Sequence, residues 1–166
     1  MDDEDLLEVA QRYASHYALE ICEALGSGIH GIVRAIKSKS KRRAKRALKL
    51  HRDIDAYHRE KAVYEYLRTN GVDEILGFEI PTLLHVDDQF LAIEMTIVSP
   101  PFILDFASAR LDDPIHFSEE IWADWKVAKQ EEFGSDWPTV ENILRHFNDE
   151  HEIQILDPSR KNIRFR

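Results

Sequence analysis

The sequence has little cysteine and no long apolar run. Its one cysteine, Cys22, cannot form a disulfide within the chain, and the acidic first residues lack the basic and apolar regions of a signal peptide. We therefore expect a cytoplasmic protein. The longest apolar stretch, 93–106, is interrupted by acidic residues, a serine and two prolines, so it cannot supply the roughly 20 apolar residues that span a bilayer. The sequence predicts no membrane segment.

Positive charge is scarce as well. The chain carries 22 Lys and Arg against 31 Asp and Glu, a formal net charge of −9. General nucleic-acid binders neutralise phosphates with clustered Lys and Arg, so nucleic acid is not an expected partner. The basic segment, residues 37–46, is an exception that holds seven Lys and Arg. A solvated turn is the favoured interpretation, and docking of an acidic partner, of an RNA backbone or of the acidic N-terminal residues are the alternatives.

The length and composition of the chain are sufficient for one folded domain. Of the 166 residues, 43% are apolar and 32% are charged, a balance that buries enough surface to offset the conformational entropy lost on folding. No internal repeat and no linker rich in Gly, Ser or Pro divides the sequence. We therefore expect a single domain over residues 1–166.

The pattern of apolar residues predicts an α+β fold. Helical spacing indicates a leading helix at 4–16 and a second one at about 55–70, which ends at Gly71. After residue 98 we expect a mainly helical part, with Ser118 capping a helix that stops at Gly134 and a further helix from Asp136 to about Asn148. Runs rich in β-branched residues predict strands at 17–25, 31–36, 46–51, 82–86 and 90–98, with short extended pieces at 153–156 and 162–165.

A glycine-rich loop joins the first two predicted strands. Residues 26–33, Gly-Ser-Gly-Ile-His-Gly-Ile-Val, match the pattern G-x-G-x-x-G-x-V. In dinucleotide-binding folds the last glycine opens a helix, whereas the residues after Gly31 favour a strand. A glycine loop between two strands is the arrangement of protein kinases, whose loop amides cover nucleotide phosphates. The alternative is a plain hairpin turn.

A lysine and a glutamate follow the loop. Lys49 lies on the third predicted strand, whereas Lys37 lies on the strand that leaves the glycine loop and is too close to return beneath it. Glu60 shares a helix face with Tyr57 and Tyr64, so it should face the core. A buried carboxylate needs a cation, and we expect Lys49 to supply it. The alternative is a hydrated Glu60 at the edge of the apolar stripe.

The last segment carries a further motif. Residues 155–163, Ile-Leu-Asp-Pro-Ser-Arg-Lys-Asn-Ile, resemble the kinase catalytic loop D-x-x-x-x-N-I, with Asp157 and Asn162 at the required separation. The alternative is a turn before an edge strand. Three features depart from the family: Ile155 and Leu156 stand where His or Tyr and Arg usually precede the aspartate, Ser159 replaces the lysine often found two residues after it, and no Asp-Phe-Gly follows Asn162.

A similar tripeptide occurs earlier in the chain. Leu104-Asp105-Phe106-Ala107 resembles the metal-binding Asp-Phe-Gly, but it precedes the catalytic-loop-like segment instead of following it. We favour a connection between strand and helix, in which Asp105 caps the helix or is solvated.

These motifs together resemble the protein kinase superfamily, closely over residues 17–98 and loosely over 136–165. The resemblance implies a kinase-like N-lobe at 1–98, with an antiparallel five-stranded sheet and one αC-like helix, and a reduced helical C-lobe at 99–166. It also implies ATP and Mg²⁺ as cofactors and phosphoryl transfer to a hydroxyl on a protein or small molecule. The alternative is a pseudokinase that serves as a nucleotide-binding or scaffolding module.

The same resemblance assigns roles to individual residues. Asp157, Lys49 and Glu60 would be catalytic, with Asp157 accepting the proton of the hydroxyl, and Asn162 and Asp157 would bind the metal. The nucleotide would contact Gly26, Ser27, Gly28, Gly31, Val33, Ala47 and Lys49, together with the carbonyl of Glu94 and the amide of Thr96 at the hinge, where Ile93 would be the gatekeeper.

Overall fold

The computed structural model describes residues 2–40 and 44–166, which form helices and strands. In chain order the elements are α1 (Asp3–His16), β1 (Leu19–Gly28), β2 (Gly31–Ser38), β3 (Arg46–His51), α2 (Ile54–Thr69), β4 (Glu74–Ile75), β5 (Phe78–Glu79), β6 (Leu83–Asp87), β7 (Ala92–Met95), β8 (Phe102–Ile103), β9 (Arg110–Leu111), α3 (Glu119–Phe133), a 3₁₀ turn (Gly134–Asp136), α4 (Trp137–His151), β10 (Ile153–Gln154) and β11 (Ile163–Arg164).

The predicted five-stranded antiparallel sheet is confirmed, with strand order β1-β2-β3-β7-β6. Gly28 pairs with Gly31 at the tip of the first hairpin, so the glycine loop does join two strands. At Gly31 a Cβ atom would lie 1.9 Å from the Leu50 carbonyl oxygen, and only glycine lets β2 approach β3 there. Pairing of β3 with β7 places Lys49 opposite Ile93.

Helix α1 covers the back of this sheet. A capping box, in which Asp2 and Asp5 each accept the other's backbone amide, starts the helix. The buried side of α1 includes Leu6 and Tyr13, which pack against sheet residues such as Ile36. The first apolar core therefore lies between α1 and β1–β3.

Helix α2 packs against the opposite face. Asp53 caps its first turn by accepting the amide of Ala56 at 2.8 Å, and the helix ends before Gly71, whose φ of +67° suits glycine. Its buried side includes Tyr64 and Leu67, which join a second core shared with α4 and the short strands. Because the sheet has cores on both sides, strand β7 is buried throughout.

The structure after residue 98 agrees only in part with the mainly helical region predicted from the sequence. Helices α3 and α4 confirm two predictions, and Ser118 caps α3 by accepting the amide of Ile121. Residues 99–117 hold no helix, however, and supply β8 and β9 instead. Strand β8 pairs with β11, and β9 pairs with β10. Strands of two residues carry no periodicity from which a sequence pattern could predict them.

The basic segment faces acids of β1. Lys37 lies 3.1 Å from Glu20 and Lys45 lies 2.9 Å from Glu23 in exposed ion pairs, which stabilise little. The basic segment also contains Lys41, Arg42 and Arg43, which lie outside the described residues.

Across residues 2–40 and 44–166, none of the helices combines the length and apolar character needed to cross a membrane.

Candidate functional site

A cleft of about 560 Å³ opens between the sheet and the β8–β11 pair. The glycine loop and the sheet residues Val33 and Ala47 form its roof, and the floor comes from the cleft-facing side of β8 and β11. Its lining includes the loop residues Gly26, Ser27, Gly28, His30 and Gly31, the rear residues Lys49, Glu60, Tyr64 and Asp105, the segment Met95, Thr96, Ile97 and Val98, and the floor residues Phe102, Leu104, Lys161, Asn162 and Arg164.

The rear of the cleft holds a buried ion-pair network. The Lys49 ammonium lies 2.6 Å from Glu60 Oε2 and 2.8 Å from Asp105 Oδ1. The predicted pair of Lys49 with Glu60 beneath the glycine loop is therefore confirmed. The alternative of a hydrated Glu60 is wrong, because its side chain is 0% exposed.

The charges in this network support one another. Burial opposes ionisation of Glu60, but Lys49 and His51 outweigh it and lower the pKa of Glu60 below the ordinary value of 4.5. Burial likewise opposes ionisation of Asp105, and Lys49 reverses the effect and lowers its pKa. For Lys49, the two carboxylates outweigh burial and raise the pKa. All three groups are charged at neutral pH.

The environment of Asp105 differs from the one expected from the sequence. Asp105 does not cap a helix and is only partly solvated, since its carboxylate, 32% exposed, binds Lys49 and also accepts from the amide group of Asn162 at 3.5 Å. A backbone hydrogen bond of 2.7 Å from Leu104 to the carbonyl of Asn162 holds the two segments together. The Asp-Phe-Ala motif was the sequence signal for this position. Because the motif precedes the catalytic-loop-like segment in the chain, the sequence did not show that it lies beside Asn162.

His51 is a buried site residue that the sequence analysis missed. Its Nε2 atom lies 2.7 Å from Glu60 Oε2, and its Nδ1 atom lies 3.0 Å from the Leu91 carbonyl oxygen. The side chain is 0% exposed. The available signal was its place two residues after Lys49, on the same face of β3.

The hinge contacts differ from those predicted. The Thr96 amide donates to the Thr82 carbonyl at 3.0 Å, so it is not free for a ligand. Ile97 and Val98 follow it in the cleft lining, and within the described ranges no backbone hydrogen bond engages their amides. Ile93 is buried in the core, and Met95 lines the cleft instead.

The Glu94 side chain faces away from the cleft. It accepts the Tyr13 hydroxyl at 2.7 Å and lies 2.6 Å from Arg46. Burial, followed by the hydrogen bond to Glu94, raises the pKa of Tyr13. Helix α1 is thereby fixed to β7 from behind.

The catalytic-loop-like segment lies across the cleft from the glycine loop, but its two key residues differ in position. Asn162 lines the cleft, whereas Asp157 lies outside the lining with a side chain that is 65% exposed. The ion-pair partner of Asp157 is Lys129, at 3.3 Å, although Arg160 and Lys161 are nearer in the sequence. Arg160 instead donates to the carbonyl groups at the end of α3.

A comparison with protein-family models finds no match for this chain. A comparison with curated protein sequences finds none either. The functional interpretation therefore depends on the geometry of the cleft.

The buried network predicts a large effect on stability. Changing Glu60 to Gln should lower the free energy of unfolding by about 3 kcal/mol, because it removes the fully buried carboxylate that contacts both the Lys49 ammonium and the His51 ring. Urea unfolding at neutral pH would measure this. Glu65→Gln on the polar side of α2 is the matched control and should cost less than about 0.5 kcal/mol.

The same variant should change the response to acid. Because the pKa of Glu60 is lower in the folded state, its contribution is complete above the unfolded value of 4.5 and is lost as the pH falls through the folded pKa. The free energy of unfolding of Glu60→Gln should therefore fall less steeply in acid than that of the parent. Equal slopes, or a cost below about 1 kcal/mol at neutral pH, would contradict the assigned ion pairing.

Proposed function

We propose that this protein binds ATP with magnesium and transfers a phosphoryl group to a hydroxyl acceptor, in the manner of a protein kinase. The observation that carries the proposal is the placement of Lys49 between Glu60 and Asp105, with Asn162 beside Asp105, under a glycine loop. In protein kinases a strand lysine paired with a helix glutamate contacts the phosphates, and an aspartate and an asparagine hold magnesium. All four residue types meet in one cleft here.

The shape of the cleft supports a nucleotide. Its volume of about 560 Å³ lies in the usual range of ligand pockets. The base would lie between Val33 and Ala47 above and Phe102 below, with its edge towards Val98, whose amide replaces that of Thr96 as the candidate donor. The phosphates would then extend under the glycine loop towards Lys49.

The residues near Lys49 fit a magnesium ion. Magnesium takes oxygen ligands and usually combines one or two protein ligands with substrate phosphates. Asp105 offers a carboxylate, and Asn162 offers an amide whose oxygen can be presented by a half-turn. Within the described part of the chain no group of three or more His, Cys, Asp or Glu could hold a metal. The nucleotide would complete the coordination, and the ion would neutralise phosphate charge.

Asp157 fits this metal site less well than Asp105 does. It was predicted as a ligand beside Asn162, but its carboxylate is largely exposed and paired with Lys129. In the proposal Asp105 replaces it as a ligand, and Asp157 keeps the role of general base, since a base must reach the acceptor hydroxyl at the mouth of the cleft.

A second candidate function is nucleotide binding without transfer. It is favoured by the position of Asp157 outside the cleft lining and by Ile155 and Leu156, which replace the usual His and Arg before it. In this case the chain would act as a pseudokinase that presents a nucleotide-bound surface to a partner.

A thermal-shift titration tests nucleotide binding for both candidates. At about 100 times the dissociation constant, MgATP should stabilise the folded protein by about 2.7 kcal/mol and raise Tm by roughly 5–10 °C, because only the folded state forms the cleft. Inorganic triphosphate with magnesium is the control for charge alone. No shift at millimolar MgATP would contradict both candidates.

The glycine loop offers a variant that separates binding from folding. A Cβ at Gly28 would meet no protein atom within 4 Å, so Gly28→Val should leave the ligand-free Tm nearly unchanged while it narrows the space over the phosphates. The MgATP-induced shift should then be much smaller than in the parent. A full shift in Gly28→Val would place the nucleotide elsewhere.

A further inference from the structure

The ring of His51 lies between two hydrogen-bond acceptors. On one side Nδ1 faces the carbonyl oxygen of Leu91 at 3.0 Å, and on the other Nε2 faces Glu60 Oε2 at 2.7 Å. A backbone carbonyl can only accept, so Nδ1 carries a proton. Glu60 is ionised beside Lys49 and can also only accept, so Nε2 carries a proton as well. These two contacts therefore favour a doubly protonated, positively charged ring.

The neighbouring charges are balanced only with this charged ring. From β3, Lys49 brings one positive charge, and Glu60 of α2 and Asp105 bring two negative charges. The positive His51 makes the sum zero in a region where an unpaired charge is costly. The other groups near the ring are Tyr57, whose ring lies 5.4 Å away, and the backbone of Leu91.

Loss of the Nδ1 proton would remove the positive charge that balances Glu60 and Asp105, whereas loss of the Nε2 proton would also change the contact with Glu60. A neutral ring that keeps the bond to Leu91 would turn the lone pair of Nε2 towards the Glu60 carboxylate at 2.7 Å. That contact would be repulsive, and Glu60 would have to move or bind a proton. Either change withdraws the carboxylate that fixes the ammonium of Lys49 at 2.6 Å.

We propose that His51 is a positioning residue that holds Lys49 through Glu60, and that its protonation makes nucleotide affinity fall as the pH rises. The inference deepens the proposed function, because it depends on Lys49 contacting the nucleotide. His51 itself lies outside the cleft lining and acts only through Glu60.

The first test measures the proton directly. Nitrogen-15 spectra of the histidine-labelled protein should show both nitrogens of His51 protonated at about pH 7. His51→Gln would assign the signal by its disappearance. A neutral His51 with a single proton at that pH would overturn the inference, whether or not nucleotide is present.

The second test measures MgATP affinity from about pH 6 to about pH 9 by calorimetry. For the parent we expect the dissociation constant to rise by about tenfold across this range, since a charge-assisted hydrogen bond is lost. His51→Gln should bind more weakly at the lower pH and show a smaller rise, because its amide still donates to Glu60 but does not titrate. His51→Phe, which offers no donor, should bind more weakly than His51→Gln.

Two controls isolate His51 from other titrating groups. His30 lines the cleft and His58 lies on the exposed side of α2, so His30→Gln and His58→Gln should retain the part of the pH dependence that comes from His51. Protonation of the nucleotide itself is common to all variants. If the MgATP affinities of the parent and of His51→Gln change equally with pH, the inference about His51 is wrong, while the proposed function is unaffected. Absence of MgATP binding at every pH overturns the proposed function and, with it, the pH-dependent affinity.

Discussion

Phosphoryl transfer should fall by about a thousandfold or more in the Asp105→Asn variant, because the change removes the carboxylate that would hold magnesium against the phosphates. Asparagine has nearly the same shape, and Lys49 keeps Glu60 as a buried partner, so the variant should still fold. Transfer can be followed with ATP labelled at the γ-phosphate, using autophosphorylation and a mixture of hydroxyl-bearing peptides as acceptors.

Calorimetry gives this prediction a second readout. The parent should bind ATP more tightly with magnesium than without it, and Asp105→Asn should lose most of that difference. Asp113→Asn is the matched control, since Asp113 is a highly exposed aspartate with a distant contact to Arg110 at 3.8 Å. If magnesium increases the ATP affinity of Asp105→Asn as much as that of the parent, the proposed metal site is wrong.

Transfer should also fall by about a hundredfold in the Asp157→Asn variant, while the affinity for MgATP stays within about twofold. A general base acts on the acceptor hydroxyl in the transition state and contributes little to binding of the nucleotide. Because the Asp157 side chain is 65% exposed and its ion pair with Lys129 lies at the surface, its replacement should not affect folding. The comparison uses the same labelled ATP and calorimetry.

Asp149→Asn provides a control on the exposed side of α4. Equal transfer rates for Asp157→Asn and the parent would refute the assignment of the base. If the parent binds MgATP but transfers nothing to any acceptor, the pseudokinase interpretation is correct and the enzymatic one is not.

The buried ion pair could be predicted because two local signals agree. Periodicity places Glu60 on the apolar face of α2, and strand pattern places Lys49 on the sheet beneath the glycine loop. Burial of one charge then requires the other. Such an argument uses only the spacing within each element and needs no knowledge of how distant segments meet.

Asp105 could not be placed in this way. Its position depends on the pairing of β8 with β11, two strands of two residues each. The sequence contains the Asp-Phe-Ala motif but no pattern that brings it beside Asn162. Asp105 and Asn162 are 57 positions apart along the chain, and only the tertiary fold brings them together.

Glu94 illustrates a different limit. Strand β7 is buried on both faces, so alternation of polar and apolar residues cannot show which way its side chains point. Helix α1 decides the matter by bringing the Tyr13 hydroxyl to the back of the sheet. Strand β7 also ends at Met95, earlier than predicted, and the Thr96 amide is bonded to Thr82, so the candidate hinge donor becomes Val98.

The β8–β11 pair also bears on how the protein folds. The hairpin of β1 and β2 and helix α2 form from neighbouring residues, whereas the floor of the cleft must bring together segments 57 positions apart. Closing so long a loop costs entropy before any contact compensates for it, so the floor should form late and reopen early. The sheet with its glycine loop can therefore be ordered while Asp105 and Asn162 are still apart, and the proposed magnesium site should be the last part of the cleft to form.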